Sequence, residues 1–355
     1  RSLTLMRSAA RMVVVGIALL MLPTAALLAQ DADDELDFAP PRFGILVQTD
    51  FNAESPLVEN GFLVRTSRLS VAGTAGSQFR YFVQANLLTN RAILDTRLGF
   101  RFTRALEIEV GLVKSPFSTE FMRFRGSLPL TERARVVIML APKRQIGATA
   151  IANVGTTSIR GGVYNGNGQF DLTNDGPGFL TIGRIDHRIH LNDHGSSLRF
   201  AVNAAYSRDQ SAPVPGISLT FAGTRQIAGA DAELTVGHFL VATEIIAARL
   251  RPSSDPESDQ EPDQESGLET DQKPWGFSLT GGWEVVPHHR VVGRLDFLDS
   301  GAAVTENVAE ISKYLAIVGY TFQPIRYAKF SVEYRYDVSN RSTNALVARF
   351  QLARK

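Results

Sequence analysis

The sequence predicts an all-β chain: a closed antiparallel transmembrane β-barrel of about 16 strands, with short turns at one rim and long loops at the other. Three observations predict it. Apolar and polar residues alternate with period two along most of residues 42–353. Many of the alternating runs span nine to thirteen residues, whereas strands in globular proteins cluster near about five to six and membrane-spanning strands need about nine to eleven. The links between runs fall alternately into a short set and a long set.

The chain opens with Arg7 and Arg11, an apolar run Met12–Leu22, Pro23 and small residues up to Ala29. A basic segment, a short apolar segment and a small-residue segment make a secretory signal peptide, expected over residues 1–29 with cleavage after Ala26 or Ala29 and Met6 as its start. The run is barely of spanning length and is broken by Pro23, which disfavours an N-terminal anchor. An acidic segment, 30–41, follows and carries five carboxylates between Asp31 and Asp37. Residues 42–353 are the expected barrel. The chain has no cysteine, which excludes a disulfide framework, an iron–sulfur centre and a Cys-ligated zinc site.

The strand segments read from the alternation are 42–51, 60–72, 78–87, 91–103, 106–114, 145–154, 157–164, 180–191, 195–207, 226–236, 238–250, 274–285, 289–298, 310–322, 328–338 and 343–353. In the fourth, Ala92, Leu94, Thr96, Leu98, Phe100 and Phe102 oppose Ile93, Asp95, Arg97, Gly99 and Arg101. The short links are Gly73–Ser77, Arg104–Ala105, Gly155–Thr156, Asn192–His194, Gly237, Val286–His288 and Gln323–Tyr327. The long set includes 115–144, 165–179, 208–225 and 251–273. Bacterial outer-membrane barrels have short periplasmic turns and longer extracellular loops, and an even strand count puts both ends of the barrel on the periplasmic side. Aromatic residues near segment ends (Phe43, Phe51, Tyr81, Trp275, Trp283, Tyr314, Phe322 and Tyr336) suit interfacial girdles.

The formal net charge of +1 conceals a segregation. Acidic residues crowd the N-terminal flank and the loop 251–273, where eight carboxylates lie between Asp255 and Asp271. The barrel itself is basic. The composition of the loop, rich in Asp, Glu, Gln, Ser and Pro, suits a mobile solvated segment.

Catalytic and metal chemistry are not expected. His288 and His289 are adjacent at a turn, and strand neighbours point to opposite faces, so the pair is a poor chelator. His187, His190 and His194 lie near another turn. No GxSxG elbow or P-loop occurs, the apolar faces carry no Ser–His trio, and Gly166–Gly168 reads as a turn. No cofactor and no nucleic-acid partner are expected.

A set of ordered motifs carries a family resemblance: GLVKSPFSTE at Gly111–Glu120, LTER at Leu130–Arg133, PKRQIG at Pro142–Gly147 and GGVYNGNG at Gly161–Gly168. FLVRTSRL at Phe62–Leu69, ILDTRLGFRF at Ile93–Phe102 and ARFQLA at Ala348–Ala353 extend it. The chain resembles the phosphate-selective porin O and P family of sixteen-stranded outer-membrane barrels, the run around Pro116–Ser118 with Glu132–Arg133 being its most specific part. The resemblance implies a homotrimer in outer-membrane lipid, with a third loop folded into the lumen as a constriction. That loop is 115–144, holding Arg123, Arg125, Arg133, Arg135, Lys143 and Arg144 against Glu120 and Glu132, a local charge of +4. Such a loop would concentrate small anions in a narrow passage, and the arginine fork suits phosphate. The same arginines could instead pair with carboxylates and pin the loop, and both readings stand open.

On the walls, Arg97 and Arg101 join the candidate set, and the resemblance adds Arg65 and Asp95. The family's paired arginines on the second strand are here Arg65 followed by Thr66, and only six lysines occur in the chain. The wall therefore reads as mixed in charge, with general anion preference and no basic ladder. The function expected is passive diffusion of small hydrophilic solutes, anions such as phosphate, through an exported, non-catalytic porin. The alternative is a plugged barrel with a structural or adhesive role.

Overall fold

The computed structural model describes residues 38–354, apart from 56–59, 90–91, 170–171, 175, 177, 193–194, 214–219, 253–270, 300, 302–312 and 340–343. The expected signal peptide, most of the acidic flank, nearly all of the acidic loop and His194 lie outside the described residues.

Sixteen antiparallel strands close into one barrel. They are β1 (Arg42–Ser55), β2 (Gly61–Ala75), β3 (Phe79–Asn86), β4 (Ile93–Arg101), β5 (Leu106–Lys114), β6 (Arg144–Val154), β7 (Thr157–Tyr164) and β8 (Leu180–His190). The second half comprises β9 (Ser197–Pro213), β10 (Thr220–Val236), β11 (Phe239–Pro252), β12 (Trp275–Val286), β13 (His289–Asp299), β14 (Tyr314–Ile325), β15 (Ala328–Asp337) and β16 (Asn344–Arg354). Each strand pairs with its sequence neighbours and β1 pairs with β16, so no edge is left open; an open edge in hydrocarbon would strand backbone donors and acceptors. Among the described residues no helix is long and apolar enough to cross a membrane.

The alternation sets apolar side chains outward and polar ones inward. On β12, Trp275, Phe277, Leu279 and Trp283 are exposed on the outer surface while Ser278 and Thr280 are buried. Aromatic pairs gather at both rims: Phe239 stacks on Trp283 at the short-turn end, and Trp275 and Tyr314 flank Phe297 at the long-loop end.

The strands depart from the sequence reading in four places. β9 and β10 extend through much of the expected loop 208–225, because strand pairing continues from Gly223↔Asp209 to Thr220↔Pro213 after the apolar alternation has stopped. β14 runs to Ile325, which shortens the expected link 323–327. In β4 the faces swap at a bulge between Gln84/Ala85 and their partners. Ile93 is exposed and Leu94 buried there, the reverse of the expected sides, because one extra residue inverts the period. A second bulge, where Gln48 pairs with Thr66 and Thr49 with Val64, leaves Arg65 of β2 with no partner opposite it on β1.

The lumen is crossed by the segment between β5 and β6. It contains two short helices, α1 (Thr119–Met122) and α2 (Arg135–Leu140), with a 3-10 turn at Arg125–Ser127 between them. The loop's own residues form nearly half of the main buried apolar cluster: Phe117, Phe121, Val136, Val137 and Leu140 pack with Tyr164, Leu180, Ile182, Ile246 and Leu298 of the wall.

Candidate functional site

The loop leaves β5 and rejoins β6 side by side, with Lys114 opposite Arg144 and the Ser115 amide donating to the Lys143 carbonyl at 3.1 Å. From that neck it is fastened to the wall at both ends of its path, and the two most specific sequence motifs are the fasteners.

The first is Pro116–Phe117–Ser118–Thr119. Phe117 is fully buried in the apolar cluster. Ser118 has φ 64°, an unfavourable backbone for a residue with a Cβ, and its surroundings hold it there. Its amide donates to Asn203 Oδ1 (2.8 Å), its hydroxyl donates to Glu244 Oε2 (2.8 Å), and the same oxygen accepts from the Phe121 amide (3.0 Å), capping α1. The Thr119 hydroxyl bonds Asp231, and Arg184 ties both together through Thr119 Oγ1 (2.6 Å), Asp231 (2.7 Å) and Asn203 (2.5 Å).

The second fastener is Leu130–Thr131–Glu132–Arg133. Leu130 packs on Val292 and Ile317. The Thr131 hydroxyl and amide donate to Glu333, the hydroxyl at 2.7 Å to Oε2, and Arg335 donates to the same hydroxyl at 2.7 Å. Glu132 gathers Arg125 (2.6 Å), Arg65 (3.2 Å) and Arg349 (3.4 Å). Burial opposes its charge, and those arginines outweigh burial and hold its carboxyl below the usual carboxylate range. Arg349 also reaches the Thr131 carbonyl while clamping Asp50, its cross-strand partner, through two bonds of 2.6 and 2.7 Å.

The expected site residues separate into classes by what cancels their charge. Arg123 pairs with Glu233, Arg125 with Glu132, and Arg144 with Asp95 through two bonds of 3.1 Å. Arg135 donates to the Lys313 carbonyl at 3.1 Å. Lys143 is exposed, with φ 56°. Arg133 differs: its guanidinium donates only to neutral groups, the carbonyls of Glu120, Phe121 and Arg123 (3.0–3.3 Å), over the Phe121 ring. Burial, reinforced by Arg125, lowers its pKa to about 10, so it stays charged at neutral pH.

Arg97 and Arg101 do not join the loop. Arg97 pairs with Glu109 (3.3 Å) over the Phe82 ring, and Arg101 shares Glu107 with Arg80. These form a separate, more exposed set of ion pairs on β3–β5, with no bond to the loop among the described residues. Residues that the sequence reading missed take their place. Arg68, on β2 past the bulge, is inside the barrel with Arg125, Arg133, Arg144 and Asp95 as its charged neighbours. It has no hydrogen bond or ion pair among the described residues, and its Nε is unpartnered. Lys114 has Arg68, Arg133, Arg144 and Asp95 as charged neighbours and donates to three backbone carbonyls, those of Phe121, Met122 and Arg123 (2.8–3.3 Å). Past the bulge the parity of β2 shifts by one, which puts Arg68 on the inward face. Basic residues at an inward parity counted after the bulge would have been the signal.

No group of His, Asp and Glu side chains among the described residues could hold a metal ion. His289 instead bonds the Tyr320 hydroxyl at 2.5 Å and stacks on Phe322, and His187 bonds Thr157 at 2.8 Å.

Comparison with known proteins agrees with this architecture. No curated protein sequence matches the chain. Among solved structures, the anion-selective porin from Comamonas acidovorans superposes with a TM-score of 0.63 at 10% identity, covering 90% of this chain and all of that one. The in-vitro folded outer membrane protein OmpT of Vibrio cholerae gives 0.62 at 12%, with the same coverage, and its trimer form 0.62 at 12%, covering 89% of this chain and 99% of that one. At these identities the likeness is one of fold. The model of the phosphate-selective porin O and P family matches residues 44–184, the stretch that holds β1 to β7, the lumen loop and both fasteners. The whole barrel thus has the fold of outer-membrane porins, and over residues 44–184 the chain is similar to the phosphate-selective porin O and P family.

Proposed function

We propose that this porin passes small hydrophilic anions, phosphate among them, by passive diffusion without a catalytic step, with loop 115–144 as its constriction. One observation carries the reading. Arg68, Lys114 and Arg133 stand within electrostatic reach of one another in the lumen, and among the described residues none of them forms an ion pair; Lys114 and Arg133 donate only to backbone carbonyls. The acids within their reach are already engaged: Asp95 by Arg144, Glu120 by Arg294 and Glu132 by Arg125. Uncancelled cations in a narrow, partly desolvated passage raise the local anion concentration, while cations already paired with acids add little at a distance.

On this reading the anion-binding set is Arg68, Lys114 and Arg133, supported by Arg65, Arg125, Arg144 and Asp95; Arg123 and Arg135 hold the loop. Lys143 stands at its neck. The same reading takes residues 1–29 as a cleaved export signal, 30–41 as an acidic flank, 251–273 as an acidic loop, and the working assembly as a homotrimer in outer-membrane lipid, which the family resemblance supports. Reversal potentials in planar bilayers under a potassium chloride gradient test it: chloride preference is expected, added phosphate should block part of the chloride current, and cation preference overturns the anion reading. The density of loop-to-wall bonds favours a second reading, a barrel plugged for a structural role. Swelling of proteoliposomes in small sugars separates the two.

A further inference from the structure

The outer surface of the barrel is apolar along most of its circumference, but at the long-loop rim of β9–β11 it is not. Even-numbered residues of β9 and β10 and odd-numbered residues of β11 face outward. Phe200, Val202, Ile245 and Val241 are exposed there along the belt. Two rows higher the outward positions change character. Tyr206, Gln226 and Arg249 are cross-strand partners in one row, and Arg208, Thr224 and Arg251 in the next. The bridge Leu250↔Gln272 sets exposed Lys273 beside Arg249 and Asp271 beside Arg251. Inward neighbours confirm the parity: Ser207, Asp209 and Arg225 bond one another inside the barrel.

Four cations, Arg208, Arg249, Arg251 and Lys273, therefore share a patch with one carboxylate. Asp271 accepts from Arg249 at 2.7 Å and lies 3.7 Å from Arg251, and Arg208 has no ion pair among the described residues. On the adjoining strands the same rim carries the Trp275, Phe297 and Tyr314 rings instead. Cations on the outer surface, directly above side chains that acyl chains must cover, sit at the depth of lipid headgroups. Lumen anions have no access to that face.

We propose that this patch binds the phosphorylated headgroup of an outer-leaflet lipid, its acyl chains lying on Val202, Ala204 and Ile245 and its phosphate held by the forks of Arg208 and Arg251 with Arg249 and Lys273 beside them. Asp271 tempers the site. This assignment does not depend on what the pore conducts.

The purified full-length barrel in maltoside micelles, titrated with a diphosphorylated glucosamine-disaccharide lipid, tests it by native mass spectrometry. Trp275 emission in a Trp283→Phe background gives a second readout. Retention of a lipid is expected, with binding weakened at least tenfold in the fourfold variant Arg208→Gln, Arg249→Gln, Arg251→Gln, Lys273→Gln, and strengthened by Asp271→Asn. Conductance and heat-modifiable gel migration of the fourfold variant should match wild type, which shows that it folds. Equal binding of the dephosphorylated lipid overturns the proposal, as does undiminished binding by the folded fourfold variant. Displacement of the lipid by millimolar inorganic phosphate would reassign the patch to a free-anion site and also overturn it.

Discussion

The two sides of the lumen use the same side chain for opposite ends. Toward β8–β16, each buried arginine faces an acid: Arg184 meets Asp231 and Asp186, Arg294 meets Glu120, and Arg349 meets Asp50 and Glu132. Toward β2–β6, Arg68, Lys114 and Arg133 meet backbone carbonyls or nothing. An arginine whose charge is cancelled is a fastener, and one whose charge is left standing is a field. Arginine counts along a sequence cannot tell them apart; the location of the carboxylates does.

Breaking the fastened side should have the largest effect. Arg349→Ala strips buried Asp50 of its two short bonds, leaving only Arg65 at 3.6 Å, and frees the loop, a loss of up to about 3–5 kcal/mol by analogy with broken buried ion pairs, seen as a lower urea midpoint for unfolding from vesicles. Ser118→Ala removes the hydroxyl bonds to Glu244 and to the α1 cap while keeping the strained backbone. About 1–3 kcal/mol is expected from the stranded acceptor and donor, with noisier single-channel current as the loop loosens. Arg68→Ala touches the other side: a roughly three- to tenfold fall in chloride-over-potassium permeability, given a few kcal/mol for one charge at contact in an intermediate dielectric, with little change in unfolding midpoint because no hydrogen bond is lost. Asp95→Asn should shift selectivity the opposite way, since Arg144 is then uncancelled, and a lowered anion preference there would break the comparison. Arg97→Gln, in a half-exposed pair, should change stability by under about 1 kcal/mol and leave selectivity near wild type.

The barrel was legible because lipid on one side and water on the other impose a strict period of two. The reading weakened where that contrast ends. Beyond the belt, β9 and β10 pair through residues rich in Ser, Asp and Thr with no apolar face to announce them. It failed at the bulges, where a single extra residue moved Leu94 inside and made Arg68 an inward residue. The loop's place was legible through its family resemblance and its charge, and Pro116–Ser118 and Leu130–Arg133 stood out as motifs. That they act as anchors was not, because Asn203, Asp231, Glu244 and Glu333, which receive them, lie from 85 to 202 residues away in the chain.

Arg349 belongs to the last strand, Asp50 to the first, and the Thr131 carbonyl and Glu132 to the loop between the fifth and sixth. One guanidinium on the last strand thus engages two remote parts of the chain at once, the first strand and the loop, and is satisfied only when both have arrived. Completion of the ring and docking of the constriction then become a single cooperative event during insertion, and a barrel that has sealed its final seam already carries its filter.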